Sequence, residues 1–273
     1  MKKLRLPIQI LLALIFVGSF GMMLRQLFFY SESRHTYDQA QMIAFSDTRP
    51  ETVAPELVEI PEQTLPLSET APAPIPMDEG AKFLAEVNVW ALRQINADVL
   101  GWIYIPDTVI SYPLIQSRDR DTYLHTAWDG KYNGGGSIFL EQKNSRDLTD
   151  FNTILYGHHM TDGSMFGSLK YFKDQSFAES HPYIYLCTAD QVFRYRVFSV
   201  YDAPIDSDTY RLYFPDTAAK EQAADHFITS SLLDLPADIT AEDRFLTLST
   251  CVGNGVYTSR IVVQGVLDGQ WRK

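Results

Sequence analysis

Phe245-Leu246-Thr247-Leu248-Ser249-Thr250-Cys251, followed at once by Val252-Gly253-Asn254-Gly255, is the stretch on which the fold turns. The first seven residues carry no charge, glycine or proline and are rich in threonine and apolar side chains, which is strand composition. A strand's period of two sends Phe245, Thr247, Ser249 and Cys251 one way and Leu246, Leu248 and Thr250 the other. The Gly253-Asn254-Gly255 run is turn chemistry. Cys251 therefore stands at a strand end, where loops begin and a ligand can reach it. A lone cysteine is more often a small buried hydrophobe than a nucleophile, so it needs partners before it implies chemistry.

Two partners are available in the sequence. Arg260 follows nine residues later and opens a second strand, Arg260–Leu267, which lies beside the first if a short loop joins them. An arginine there sets a permanent charge and a donor fork near the sulfur, suited to a thiolate or a developing oxyanion. The commoner fate of such an arginine is an ordinary edge-strand cation. The other partner is His158, where the apolar run Thr153–Tyr156 enters Gly157-His158-His159. A cysteine nucleophile needs a histidine to hold it as thiolate or to manage its proton. Adjacent His159 would point to the opposite face, so only one of the two can serve a given site.

Outward from these, further short strands are predicted at Val99–Ile105, Val109–Ile115, Ser137–Leu140, Tyr183–Leu186 and Phe193–Tyr201, with a turn at Asn133-Gly134-Gly135-Gly136. Asp78 is placed to cap a helix from Gly80 to Ile95, with Phe83, Val87, Trp90 and Ala91 on its core face. Asp216 caps a second helix in the segment to Leu235, with Ala224, Phe227, Ile228 and Leu232 on one face. Many short strands with a few helices predict a mostly β domain, a barrel or sandwich with α additions.

The chain has 273 residues and a net charge of -11, which disfavours a phosphate-backbone partner, so no nucleic acid is expected. Two cysteines, Cys187 and Cys251, are too few for a disulfide scaffold or a Cys-rich zinc site. No H-x-x-x-H pair, EF-hand spacing or phosphate loop occurs, so no metal or cofactor is expected. Residues 1–30 hold Lys2, Lys3, Arg5 and Arg25 and no acid, and Pro7–Leu24 is free of charge. As a helix those residues span roughly 27 Å, close to the hydrocarbon thickness. The positive side precedes the span, which predicts a cytoplasmic N-terminus and an extracellular remainder. A cleaved signal peptide would have a shorter apolar core and a small-residue cleavage site, which does not follow here. Residues 31–79 hold most of the chain's excess acid and half of its 14 prolines, and read as an extended stalk. The domain expected to fold is 80–273.

Thr247-Leu248-Ser249-Thr250-Cys251 with Arg260 resembles the TLxTC…R signature of sortases, the membrane-anchored cysteine transpeptidases of Gram-positive surfaces. The stretch from Tyr156-Gly157-His158-His159 through Met165-Phe166 resembles the class B form of the histidine motif. Leu100-Gly101-Trp102-Ile103, Tyr112-Pro113-Leu114-Ile115-Gln116, Asp129-Gly130-Lys131-Tyr132 and Gly136-Ser137-Ile138-Phe139-Leu140 are also similar to class B, in matching order over about residues 80–270. Val252 departs from the pattern, being apolar where many members are polar, which bears on substrate preference.

The resemblance implies an eight-stranded β-barrel with N-terminal helices and a helix before the last strands. It implies Cys251 as nucleophile, His158 as the catalytic histidine and Arg260 as the catalytic arginine, with His159 outside the chemistry. Tyr156, Ser249 and Thr250 would line the substrate groove. The implied reaction cleaves a C-terminal sorting motif of a secreted protein through a thioacyl-enzyme and passes the acyl group to a peptidoglycan-precursor or pilin amine. Two alternatives stay open on sequence: a hydrolytic cysteine peptidase using the same three residues, and a non-enzymatic surface-tethered binding domain with Cys251 structural, bonded to Cys187.

Overall fold

The computed structural model describes residues 5–46, 75–117, 119, 121–251 and 258–273, with residues 5–11, 29 and 251 described by their backbone alone. Eight strands close into one barrel: β1 Val99–Tyr104, β2 Ser111–Ile115, β3 Ile138–Leu140, β4 Asn152–His158, β5 Tyr183–Cys187, β6 Gln191–Pro204, β7 Phe245–Cys251 and β8 Ser259–Arg272. Their order around the barrel is β1-β2-β3-β4-β7-β8-β6-β5. The β2–β3 and β4–β7 pairs are parallel and all others antiparallel. Every residue of β4 is buried. A strand beside a parallel neighbour and covered on both faces reads as a continuous apolar run, which is how Thr153–Tyr156 stands out in the sequence.

The alternation expected for β7 sorts its side chains between two cores. Leu246 and Leu248 join the main core with Trp102, Phe166, Phe172 and Phe193, while Phe245 joins a second cluster with Phe198, Phe227 and Val266. Helix α5, Thr217–Thr229, covers that second cluster with Ala223, Ala224 and Phe227 and is capped by Asp216, whose side chain accepts from the Ala219 amide. Leu232, expected on the α5 face, lies beyond the helix end and is exposed.

The predicted Gly80–Ile95 helix is two helices, α2 Glu79–Ala85 and α3 Val89–Arg93. The sequence contains a second cap: Asn88 accepts from the Ala91 amide and restarts the helix in a new direction. The break rotates the expected face. Val87 is buried as anticipated, but Phe83 and Trp90 are largely exposed, and Ala81, Leu84, Val89 and Leu92 pack inward. A further short helix, α4 Gln175–Ser180, precedes β5.

The expected stalk is corrected at its start. Helix α1 runs unbroken from Arg5 to Ala44. Its first half exposes Leu12, Ile15, Phe16, Val17 and Phe28. Its second half packs on the barrel with Ser33, Tyr37, Ala40 and Ala44 buried along one stripe of helical spacing. No proline falls between residues 31 and 49, so the composition that excludes helix begins later than the boundary placed at 31. The rest of that expectation, 47–74, lies outside the described residues. Both flanks of 47–74 sit on the domain. Phe45 packs against Phe83 and Trp102, and the Ile75 carbonyl accepts from the Trp271 indole.

Candidate active site

Three strands bring the predicted chemical residues together. β4 and β7 run parallel in register, pairing Tyr156 with Ser249, Gly157 with Thr250 and His158 with Cys251. On the other side of β7, the antiparallel ladder with β8 pairs Ser249 with Val262. Carried two residues past that last pair, the same register would align Cys251 with Arg260. His158 is thus paired with the Cys251 backbone on one side, and on the other the register of β8 points Arg260 toward the same strand end. Gly157 is required between Tyr156 and His158, because a Cβ there would lie 2.4 Å from Ile138 and 2.8 Å from the Phe166 ring.

His158 is buried, with its Nε2 2.6 Å from the carbonyl oxygen of Leu124. A carbonyl only accepts, so Nε2 carries a proton in both charge states of the ring. The nitrogen that gains and loses a proton is Nδ1. The His125 ring stacks on His158, with centroids 5.9 Å apart and planes at 28°. His159 behaves as expected of the neighbour facing away. It is exposed, and partial desolvation, then Lys170 and Lys173, hold its imidazole below the ordinary histidine range.

Arg260 is half-buried, its guanidinium carbon 5.7 Å from the centre of the Tyr156 ring. Tyr156 in turn donates from its phenol to Glu141 Oε2 at 3.2 Å, and both residues are buried. The cation is attracted to the aromatic face, and the Glu141 hydrogen bond at the phenol holds that ring in place.

The three predicted groove residues are all buried and tied to partners. Tyr156 carries Arg260 and stacks on Tyr210 with centroids 6.4 Å apart. Ser249 Oγ is 3.0 Å from the Tyr210 hydroxyl. Thr250 Oγ1 accepts from the Ile261 amide at 3.2 Å, joining the end of β7 to the start of β8. Tyr210 was not singled out from sequence. It is held by a buried polar network in which Asn152 donates to the Thr209 and Arg211 carbonyls, Thr247 donates to Asn152, Gln264 donates to Thr247, and Tyr201 donates to Gln264. Nothing near Tyr210 in the sequence announces this, since its anchors come from four strands. Glu141 left a visible signal, an acid directly after the apolar strand Ile138–Leu140.

Cys187, at the end of β5, is a free buried thiol, so the alternative pairing with Cys251 is not made. Burial pushes the Cys187 thiol up to about 11, which keeps it unreactive at neutral pH. Among the described residues no group of three or more His, Cys, Asp or Glu side chains is arranged to hold a metal ion. Val252, and with it the question of substrate preference, lies outside the described residues.

The family model for the sortase domain matches residues 103–268. Sortase B of Listeria monocytogenes is 36% identical over 177 residues, which cover 64% of this chain and 72% of that protein. A Staphylococcus aureus sortase B–substrate complex superposes with a TM-score of 0.64 at 32% identity, covering 66% of this chain and 84% of that one. A sortase B from B. anthracis, solved in complex with AAEK1, covers 89% of this chain and 99% of its own, with a TM-score of 0.68 at 30% identity. The chain belongs to the sortase family, in class B. As such it is a cysteine transpeptidase, and the reading as a non-enzymatic binding domain is set aside.

Proposed function

We propose that the chain cleaves a C-terminal sorting motif of secreted proteins and transfers the new carboxyl end to a primary amine of a peptidoglycan precursor or a pilin. Cys251 is the nucleophile, His158 the general acid and base, and Arg260 the oxyanion partner. The thiolate of Cys251 adds to the scissile carbonyl, and the charge on its oxygen is met by the Arg260 guanidinium. The amide C–N bond then breaks while His158 Nδ1 gives its proton to the leaving amine, leaving a thioester. An incoming amine forms the new C–N bond, its proton passes to Nδ1, and the C–S bond breaks to restore the thiolate. Tyr156, Ser249 and Thr250 shape the substrate groove from beneath, through Arg260, Tyr210 and the start of β8.

The observation that supports this reading is the register of β4, β7 and β8: His158 pairs with Cys251, and the β7–β8 register, continued past Ser249–Val262, leads to Arg260 at the same strand end. The first half of α1 supports membrane anchoring: it is long and apolar enough to span a bilayer, and apolar side chains from Leu12 to Leu24 are exposed. With the basic end first, the N-terminus is cytoplasmic and the barrel extracellular.

The test is mass spectrometry of the enzyme after incubation with a library of sorting-motif peptides, with and without an added amine. An acyl adduct on Cys251 that the amine converts to a transpeptidation product is expected, and Cys251→Ala is expected to be inert. Undiminished turnover by Cys251→Ala refutes the assignment. Release as free acid at the same rate with and without amine makes the enzyme a hydrolase instead.

A further inference from the structure

The Leu124 carbonyl that fixes the His158 tautomer belongs to a folded-back segment, Thr122–Ser137. Its two limbs are pinned together: Asn133 N–H donates to the His125 carbonyl, Ser137 N–H to the Tyr123 carbonyl, and Ser137 Oγ to the Thr126 carbonyl. At the crossing, Gly136 sits with φ of 56° against the other limb. A Cβ on it would stand 2.5 Å from the Leu124 carbonyl oxygen and 2.7 Å from that of Tyr123. The backbone of Gly136 is thus the surface on which the carbonyl facing His158 rests.

Helix α1 grips this segment from behind. The buried Tyr37 hydroxyl donates to the Gly136 carbonyl. The Trp128 indole N–H donates to the Thr36 carbonyl of α1 at 2.9 Å. The Tyr37 ring meets Tyr112 edge-on, and the Tyr112 hydroxyl accepts from the Met165 amide. At the loop that follows the histidine in the chain, the Tyr30 hydroxyl lies 2.6 Å from Thr161 Oγ1, and Arg34 pairs with Asp162. Thr161 and Asp162 follow His158 by only three and four residues. One helix therefore holds both the segment that orients the imidazole and the loop that leaves it.

We propose that the second half of α1 is a positioning element of the active site, with Tyr37 acting through Gly136 and the Leu124 carbonyl to fix the tautomer and tilt of His158. This rests on the reading of His158 as the general acid and base. A cysteine–histidine pair works when the base is oriented by a third group, and here that group is a main-chain carbonyl buttressed from the helix that leads out of the apolar segment. Tyr37 touches no reacting atom and is a positioning residue.

The experiment uses the full chain in lipid nanodiscs. Tyr37→Phe keeps the ring and its packing and removes only the donor to Gly136. Trp128→Phe removes the second tie to α1. Acylation kinetics with a sorting-motif peptide are read together with the 15N shifts of His158 in histidine-labelled protein, which report which ring nitrogen bears the proton. Losing one such hydrogen bond is expected to lower kcat about three- to ten-fold with KM unchanged. The His158 signals are expected to move from a fixed Nε2–H form toward an averaged one. A kcat and a His158 spectrum identical to wild type in both variants overturn the proposal, as does a loss of thermal stability with kcat per folded molecule unchanged. A wild-type chain that forms no adduct on Cys251 instead defeats the catalytic assignment, which the same kinetics reveal separately.

Discussion

Arg260 lies over the Tyr156 ring, and that ring is held in turn by Glu141. The guanidinium is planar, permanently charged and forked, and a lysine reproduces only the charge. Arg260→Lys is therefore expected to lower kcat by roughly a hundred-fold, the scale of losing one oxyanion donor, while KM changes far less. Steady-state kinetics on sorting-motif peptides check this, and equal effects on kcat and KM would argue against a transition-state role. At this scale, what sequence shows depends on the side chain. Cys251, His158 and Arg260 carry distinctive chemistry at the ends of recognisable strands, so the pattern and the family resemblance single them out as candidates. The Leu124 carbonyl left no signal, because every residue has one and only the folded geometry selects it. The groove positions Tyr156, Ser249 and Thr250 were placed near the chemistry, yet their burial makes each a support for something else, and Tyr210 was invisible from its own neighbourhood.

Elements were more legible than their joints. All eight strands were anticipated from apolar runs and turn residues, and β7 was read to both of its ends. Barrel closure came from the resemblance rather than the pattern, because the β1–β5 pairing joins residues about eighty positions apart. The Gly80–Ile95 segment is two helices rather than one because Asn88 supplies a second cap. The first cap, Asp78, does more than start α2. Its carboxylate accepts from the Ala81 amide, the Tyr185 hydroxyl and Arg194, and Arg194 also pairs with Asp268 of β8. Desolvation raises the Asp78 pKa, but these hydrogen bonds and the Arg194 charge outweigh it and hold the carboxyl below the ordinary range. A depressed carboxylate pKa contributes stability that is present above the unfolded value near 4 and is lost as pH falls through the folded one. Asp78→Asn is expected to cost about 1–2 kcal/mol at pH 7 and progressively less below pH 4. Thermal melts of both proteins from pH 3 to pH 7 test this, and a constant difference across the range would contradict it.

The whole molecule is a barrel clasped by the helix that reaches it. Because the second half of α1 buries Tyr37, Ala40 and Ala44 against the domain, two truncations should differ sharply. Removing residues 1–24 deletes none of that surface and is expected to leave Tm within a degree or two. Removing residues 1–46 exposes Tyr112, Trp128 and their neighbours, and a loss of at least ~3 kcal/mol of burial corresponds to a Tm lower by roughly 6–12 °C. Calorimetry of the two proteins decides it. The unbroken course of α1 also sets a distance. From Leu24 to Tyr37 the helix climbs ~20 Å, and the residues on both flanks of 47–74 rest on the domain. On the proposed anchoring of Pro7–Leu24 in a bilayer, α1 holds the barrel at one altitude, like a lamp on a mast. On that proposal both substrates would have to reach the barrel at that height, since the continuous helix gives it no slack between bilayer and domain.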